Sequence, residues 1–338
     1  SDSSDANTTT SVTTTTETIS GKDTSDSTID MAKTAVKDDT VVDVGAKVAT
    51  EVNEESLAGV DMSESSKTKK KEEVVRNTDG VVQPVAIAGA VANPDELKEL
   101  VERLIKERGN GADLNDIDTF EIKDMSELFF ENENFNGNIS EWNVSNVTDM
   151  TMMFAHSIFN GDISKWNVSN VENMSGMFFT SFFDGDISKW NVSSVTNMSC
   201  LFINSKFNGD ISKWNVSSVT DMSFMFDSSN FNGNISNWDV SSVTNMESMF
   251  AHYSSFTGNI SKWNVGEVVN MKSMFKESYF NGNIGEWNVS NVVNMESMFA
   301  GSKFNRDISD WNINEDCSFT EIFNDCPIKD EYKPKFNK

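Results

Sequence analysis

The chain is short of cations, histidine, cysteine and long apolar runs, and each shortage closes off a class of function. Its 338 residues carry 27 Lys and Arg against 53 Asp and Glu, a formal charge of −26. Nucleic acid is a poor partner at that balance, because its phosphates must be neutralised by Lys and Arg. No apolar run reaches the roughly 18 residues a spanning helix needs, so no transmembrane segment is expected. The two histidines, His156 and His252, take similar places four repeats apart, are expected at the surface, and are too far apart to share a metal ion. No zinc-ligand spacing, phosphate-cradling glycine loop or serine-centred nucleophile elbow occurs. The sequence therefore predicts no catalytic residue, no metal and no cofactor, and is read as that of a non-enzyme. Of the three cysteines, Cys317 and Cys326 are candidates for a disulfide in an exported protein, and Cys200 is left over as a half-buried thiol.

Residues 1–92 are poor in aromatic side chains and rich in Ser, Thr, Asp and Lys. Such a segment cannot bury enough apolar area to offset its ordering entropy, and it is read as a disordered acidic stalk. Val81 to Val91 is apolar but interrupted by Pro84 and Gly89, the mark of a linker or a poor strand. The chain begins with Ser1 rather than Met, which is read either as a leader already removed, with a lipid anchor as a candidate feature upstream, or as a cut piece of a longer chain.

What the sequence does have is a repeat. All eight tryptophans, from Trp142 to Trp311, succeed one another at 24 residues with a single step of 25. The stretch Phe207 to Phe226, FNGDISKWNVSSVTDMSFMF, represents the unit, and residues 111–324 hold about eight of them plus a worn first one. One unit cannot bury its own apolar side chains, so neighbours must stack. Within a unit, Phe159, Ile163, Trp166, Val168, Val171, Met174, Met177 and Phe178 are read as core. The two-residue spacing of Trp166 and Val168 predicts a strand. The 3, 3, 1 spacing from Val171 to Phe178 predicts a short helix, with Asn173 as its cap. The Asn160-Gly161 pair predicts a turn in which glycine takes positive φ. The expected fold is an α/β repeat: a right-handed solenoid with a parallel sheet of one short strand per coil and short helices opposite.

The ends read as caps. Residues 93–110 predict a helix with Asn93 as N-cap, Pro94 in the first turn and Gly109 beyond the end, carrying the apolar stripe Leu97, Leu100, Val101, Leu104 and Ile105. Residues 325–338 form a polar C-terminal cap and tail.

Candidate functional residues come in rows. Lys165, Lys189 and Lys213, with Lys262 further along, precede successive tryptophans and predict a basic strip flanked by Asn167, Asn191 and Asn215. Such a strip suits an acidic glycan or an acidic patch on a protein. It also suits the plainer task of keeping an exposed sheet soluble. The acidic row Asp162, Asp186 and Asp210 is replaced by Asn in other units, which speaks for loop hydrogen bonding over calcium. The row Thr148, Thr196, Thr220 and Thr244 is interrupted by Glu172, Val269 and Val293, too sparse for an ice-binding face. The many Asn-x-Ser/Thr patterns would be a heavy glycan load in a eukaryotic secretory pathway and point to a bacterial source.

At ISKWNVSSVTNMSCLF and its sister stretches, over Leu114 to Phe323, the chain resembles the bacterial surface-protein repeat of roughly 25 residues found in BspA-like leucine-rich-repeat surface proteins and in mycoplasma lipoproteins of unknown function. The resemblance implies a leucine-rich-repeat-like solenoid, secreted or displayed on a bacterial surface, often lipid-anchored, that adheres to a host or extracellular-matrix macromolecule. A passive structural or antigenic coat is the alternative. The resemblance supplies no catalytic residue.

Overall fold

The computed structural model describes residues 72–76, 82–86 and 91–336. Most of the stalk expected over residues 1–92 lies outside the described residues. Its described part includes β1 (Glu72–Arg76) and β2 (Val82–Ala86), paired antiparallel with Glu72 opposite Ala86. Helix α1 (Pro94–Arg108) follows, and the Asn93 side chain accepts from the Glu96 amide at 3.0 Å. Leu97, Val101 and Leu104 are buried against the repeats, with Leu100 and Ile105 half-covered beside them. No helix among the described residues is long and apolar enough to cross a membrane.

Beyond α1 the chain is held together from one unit to the next. The amides of Met150, Met152, Phe154 and His156 donate to the carbonyls of Asn173, Ser175, Met177 and Phe179 at 2.8–2.9 Å. Met174, Gly176, Phe178 and Thr180 repeat the pattern onto Asn197, Ser199, Leu201 and Ile203. A parallel bridge marks the start of each rung, from Asp124–Asp149 through Asn173–Asn197 to Asn294–Ser318. In an ordinary parallel pair the amides of one strand alternate between both neighbours. Along this wall every second amide points toward the C-terminal end, and the intervening ones close turns, as Met177 to Met174 at 3.2 Å and Phe179 to Gly176 at 3.0 Å. The peptide dipoles of the ladder therefore add along the stack, as they do along a helix.

Such a path needs left-handed residues at regular intervals. They occur in pairs four apart: Met152 and His156, Gly176 and Thr180, Cys200 and Asn204, Phe224 and Ser228. A non-glycine residue there costs on the order of 1 kcal/mol, which the inter-unit bonds and core packing offset. The helix expected from Val171 to Phe178 is consequently absent. Its 3, 3, 1 spacing comes from consecutive three-residue turns. The strand expected at Trp166 and Val168 is absent too, because Trp166 and Val171 donate back into their own turns, to Ile163 at 3.1 Å and Val168 at 3.0 Å. That wall is joined between units by the indole instead: Trp166 Nε1 donates to the Ile139 carbonyl and Trp190 Nε1 to Ile163, each at 3.1 Å.

The apolar columns read from the sequence are the core. Phe178, Phe202 and Phe226 stack at 5.7–5.8 Å between ring centroids, and each lies 4.3–4.4 Å from a second column formed by Phe183, Phe207 and Phe231. Those second-column rings explain the glycines. Gly209 does not take positive φ; a Cβ there would lie 2.8 Å from the Phe207 ring. Glycine is required in this turn because an aromatic ring rests on its Cα. At the C-terminal end Phe336 stacks on Phe319 at 4.3 Å and closes the core.

Candidate functional site

Polar rows on the surface are built by the same period. Asp162, Asp186 and Asp210 each accept from the amide two residues on, Ser164, Ser188 and Ser212, at 2.9 Å. Serine hydroxyl and amide together hold these three carboxyls below their ordinary value, with a smaller contribution from the lysine that follows in each unit. The acidic row is thus a set of loop caps, and among the described residues no cluster of His, Cys, Asp or Glu is arranged to hold a metal ion.

Lys165, Lys189, Lys213 and Lys262 are all exposed. Lys165 pairs with Glu141 of the preceding unit at 3.1 Å, both side chains well exposed. Such a pair contributes about 0–1 kcal/mol. Lys189 and Lys213 make no ion pair among the described residues but lie in the field of Asp186 and Asp210. The surface is therefore two adjacent stripes of opposite sign. Asn167, Asn191 and Asn215 are exposed beside the lysines, and each side-chain oxygen accepts from the amide two residues later, at 3.2–3.3 Å. Their NH2 groups make no hydrogen bond among the described residues. Side chains that bridge to the next unit come from elsewhere: Asn136 and Asn160 accept from the amides of Asn160 and Asp184 at 2.8 and 2.9 Å, and Asn170 donates to Ser145 at 2.7 Å. The threonine row is likewise occupied, Thr220 donating to Thr196 and Thr244 to Thr220 at 3.2 Å.

All three cysteines are free thiols. Cys317 is buried in the core, whereas Cys326 lies 24 residues after Ser302, in the repeat's serine column, and donates to the Phe304 carbonyl at 3.2 Å. They belong to different faces of the unit, which is why nine residues of separation do not bring them into a bond. Cys200 is fully enclosed rather than half-buried, and burial pushes its thiol far up, aided by Asp221 and Asp227.

The histidines differ most from the sequence reading. His156 is wedged between Phe130 and Phe179, edge-on at 5.9 and 4.7 Å, and burial lowers its pKa. His252 is 13 % exposed and its Nδ1 donates to both oxygens of Asp227, at 3.1 and 2.9 Å, while Asp227 itself is 0 % exposed. Because a carboxylate only accepts, the proton is assigned to Nδ1. Ser228 Oγ adds a bond to Asp227 at 2.8 Å, and His252 Nε2 is buried without a partner. The signal was present in the sequence: Asp227 interrupts a column of Ala155, Phe179, Ile203 and Ala251. It is invisible when the segment is read as a helix, because the column then has no common face.

The family model described as "Mycoplasma protein of unknown function, DUF285" matches three overlapping stretches, residues 96–205, 179–279 and 227–333. Together they cover more than half of the chain. No curated protein and no solved structure matches it.

Proposed function

The chain belongs to this DUF285 family of Mycoplasma proteins of unknown function, and from that premise we propose that it is a surface-displayed or secreted bacterial adhesin, a leucine-rich-repeat-like solenoid of the BspA type. Its exposed lysine face binds a host or matrix protein or an acidic glycan. The unit-to-unit hydrogen bonds and continuous aromatic columns support a solenoid, and right-handed connection is the general rule for parallel crossovers. The observation that carries the binding reading is the row Lys165, Lys189, Lys213, exposed at successive units of a chain with a charge of −26, with exposed Asn167, Asn191 and Asn215 alongside. Repetition lets several weak contacts act together on a repetitive partner. No catalytic role is proposed.

A specific observation favours the rival reading of a passive coat. Glu141 pairs with Lys165, and the aspartate stripe lies against the lysine stripe, so little net positive field is left for a partner. The two readings part on a charge reversal. The full chain and its K165E/K189E/K213E variant are applied to immobilised matrix proteins and acidic glycans, at low and physiological salt. Adhesion predicts salt-sensitive binding that the variant loses. Binding that the variant retains in full removes the lysine face from the account, and absence of binding to any surface leaves the coat.

A further inference from the structure

Among the tryptophan-bearing units one place breaks the period. Phe226 and Phe231 are five residues apart, but Phe250 and Phe256 are six apart, and the additional residue is Tyr253, the source of the single 25-residue step. It follows His252, and both are left-handed, at φ 46 and 63. Tyrosine gains nothing locally from that conformation, and its side chain is 63 % exposed. Among the left-handed non-glycine residues Tyr253 alone stands outside the four-residue spacing, so the ladder does not call for its conformation. The buried Asp227–His252 pair anchors this bulge from beneath, and the Ser254 hydroxyl beside it is buried without a partner.

A second exposed ring lies in the following unit. The Tyr253 amide donates to the Glu277 carbonyl at 3.1 Å, two residues before Tyr279, which is 53 % exposed. The Cα atoms of Tyr253 and Tyr279 are then no more than about 11 Å apart, the reach of that hydrogen bond and the chain that follows it. The next unit sets Lys303 beside them: its amide donates to Ser278 at 2.9 Å, its side chain is exposed, and it makes no ion pair among the described residues. Ser255 and Asn281 are exposed at the margin. The patch is too small and too polar at its rim for a stable protein interface, which needs roughly 800 Å² per partner around an apolar centre. It suits a sugar. The C–H face of a pyranose rests on the negative face of an aromatic ring, and its hydroxyls find the polar rim.

We propose that Tyr253, Tyr279 and Lys303 form a binding site for a carboxylated glycan, with the rings stacking on sugar and the ammonium meeting the acid. This deepens the adhesin reading and rests on it, but places the glycan contact at the bulge. The full chain is tested on immobilised sialyllactose, hyaluronan oligosaccharide and lactose. Binding to an acidic sugar is expected, weakened about ten-fold in Y253A/Y279A. K303A is expected to abolish the preference over lactose. N230A, at the place of Tyr279 two units earlier, is expected to bind as the parent does. The proposal is overturned if neither acidic sugar binds or if Y253A/Y279A binds as well as the parent. Loss of binding in K165E/K189E/K213E with full retention in Y253A/Y279A also overturns it, and leaves the lysine-face reading standing.

Discussion

The Asp227–His252 pair makes an asymmetric prediction about stability. Asp227 is fully enclosed, accepts from His252 Nδ1 and Ser228 Oγ, and occupies a column where Ala155 and Ala251 serve equally well. H252A leaves an acid buried with one hydroxyl for company, at a cost of about 3–5 kcal/mol. D227A leaves only a ring N–H and a serine hydroxyl short of an acceptor, about 1–3 kcal/mol. The double variant D227A/H252A retains the cavity left by the imidazole but no stranded acid, and should exceed H252A in stability by roughly 2–3 kcal/mol. For a folded region of this size that is a difference of about 4–12 °C in melting temperature. Tryptophan fluorescence on heating reads it, because Trp238 and Trp263 are buried in the two units that carry the pair. A double variant no more stable than H252A would refute the claim that a buried acid–imidazole pair holds this part of the stack.

The ring-on-glycine contact predicts that G209A loses roughly 1–3 kcal/mol by overpacking against Phe207, while G111A, whose Cβ would meet nothing within 4 Å, melts with the parent. Equal losses in urea titrations of the two would contradict it. Burial lowers the pKa of His156 from its ordinary 6.5, so the unfolded chain takes up that proton first. Stability from this group is therefore complete above pH 6.5 and falls as the pH drops through the folded value. In H156F that segment of the stability–pH curve should flatten, and an unchanged curve in thermal scans from pH 7.5 to 5 would count against the assignment.

How much the sequence disclosed follows from what kind of signal each feature leaves. The core columns are legible because Phe, Trp, Met and Val recur at fixed offsets, and burial needs only that they recur. Helix α1 is legible because Asn93, Pro94 and Gly109 each act locally. The wall between Val171 and Thr180 is not legible, since three-residue turns and a short helix give nearly the same apolar spacing. What separates them is the sign of φ at Met152, Gly176, Cys200 and Phe224, four residue types with no shared preference for the left-handed region. Tertiary hydrogen bonds impose that conformation over local propensity. The lysine row is legible as a row, but its partial neutralisation by Glu141 and the aspartates depends on which neighbours face it. The Asp227–His252 contact joins residues 25 apart and needs the register of the stack to be known.

Every surface described rests on that wall being an amide ladder, directed toward the C-terminal end beyond each bridge and punctuated by left-handed residues, and glycine substitution tests this most directly. Ser273 and Ser297 sit at φ 54 and 55, and neither hydroxyl makes a hydrogen bond among the described residues. In the ladder S273G/S297G relieves two strained positions and should melt at or above the parent temperature, with a gain of up to about 1 kcal/mol per site. In a helix each glycine would instead cost about 1 kcal/mol. A melting temperature lowered by the double substitution would contradict the ladder and the surfaces placed on it.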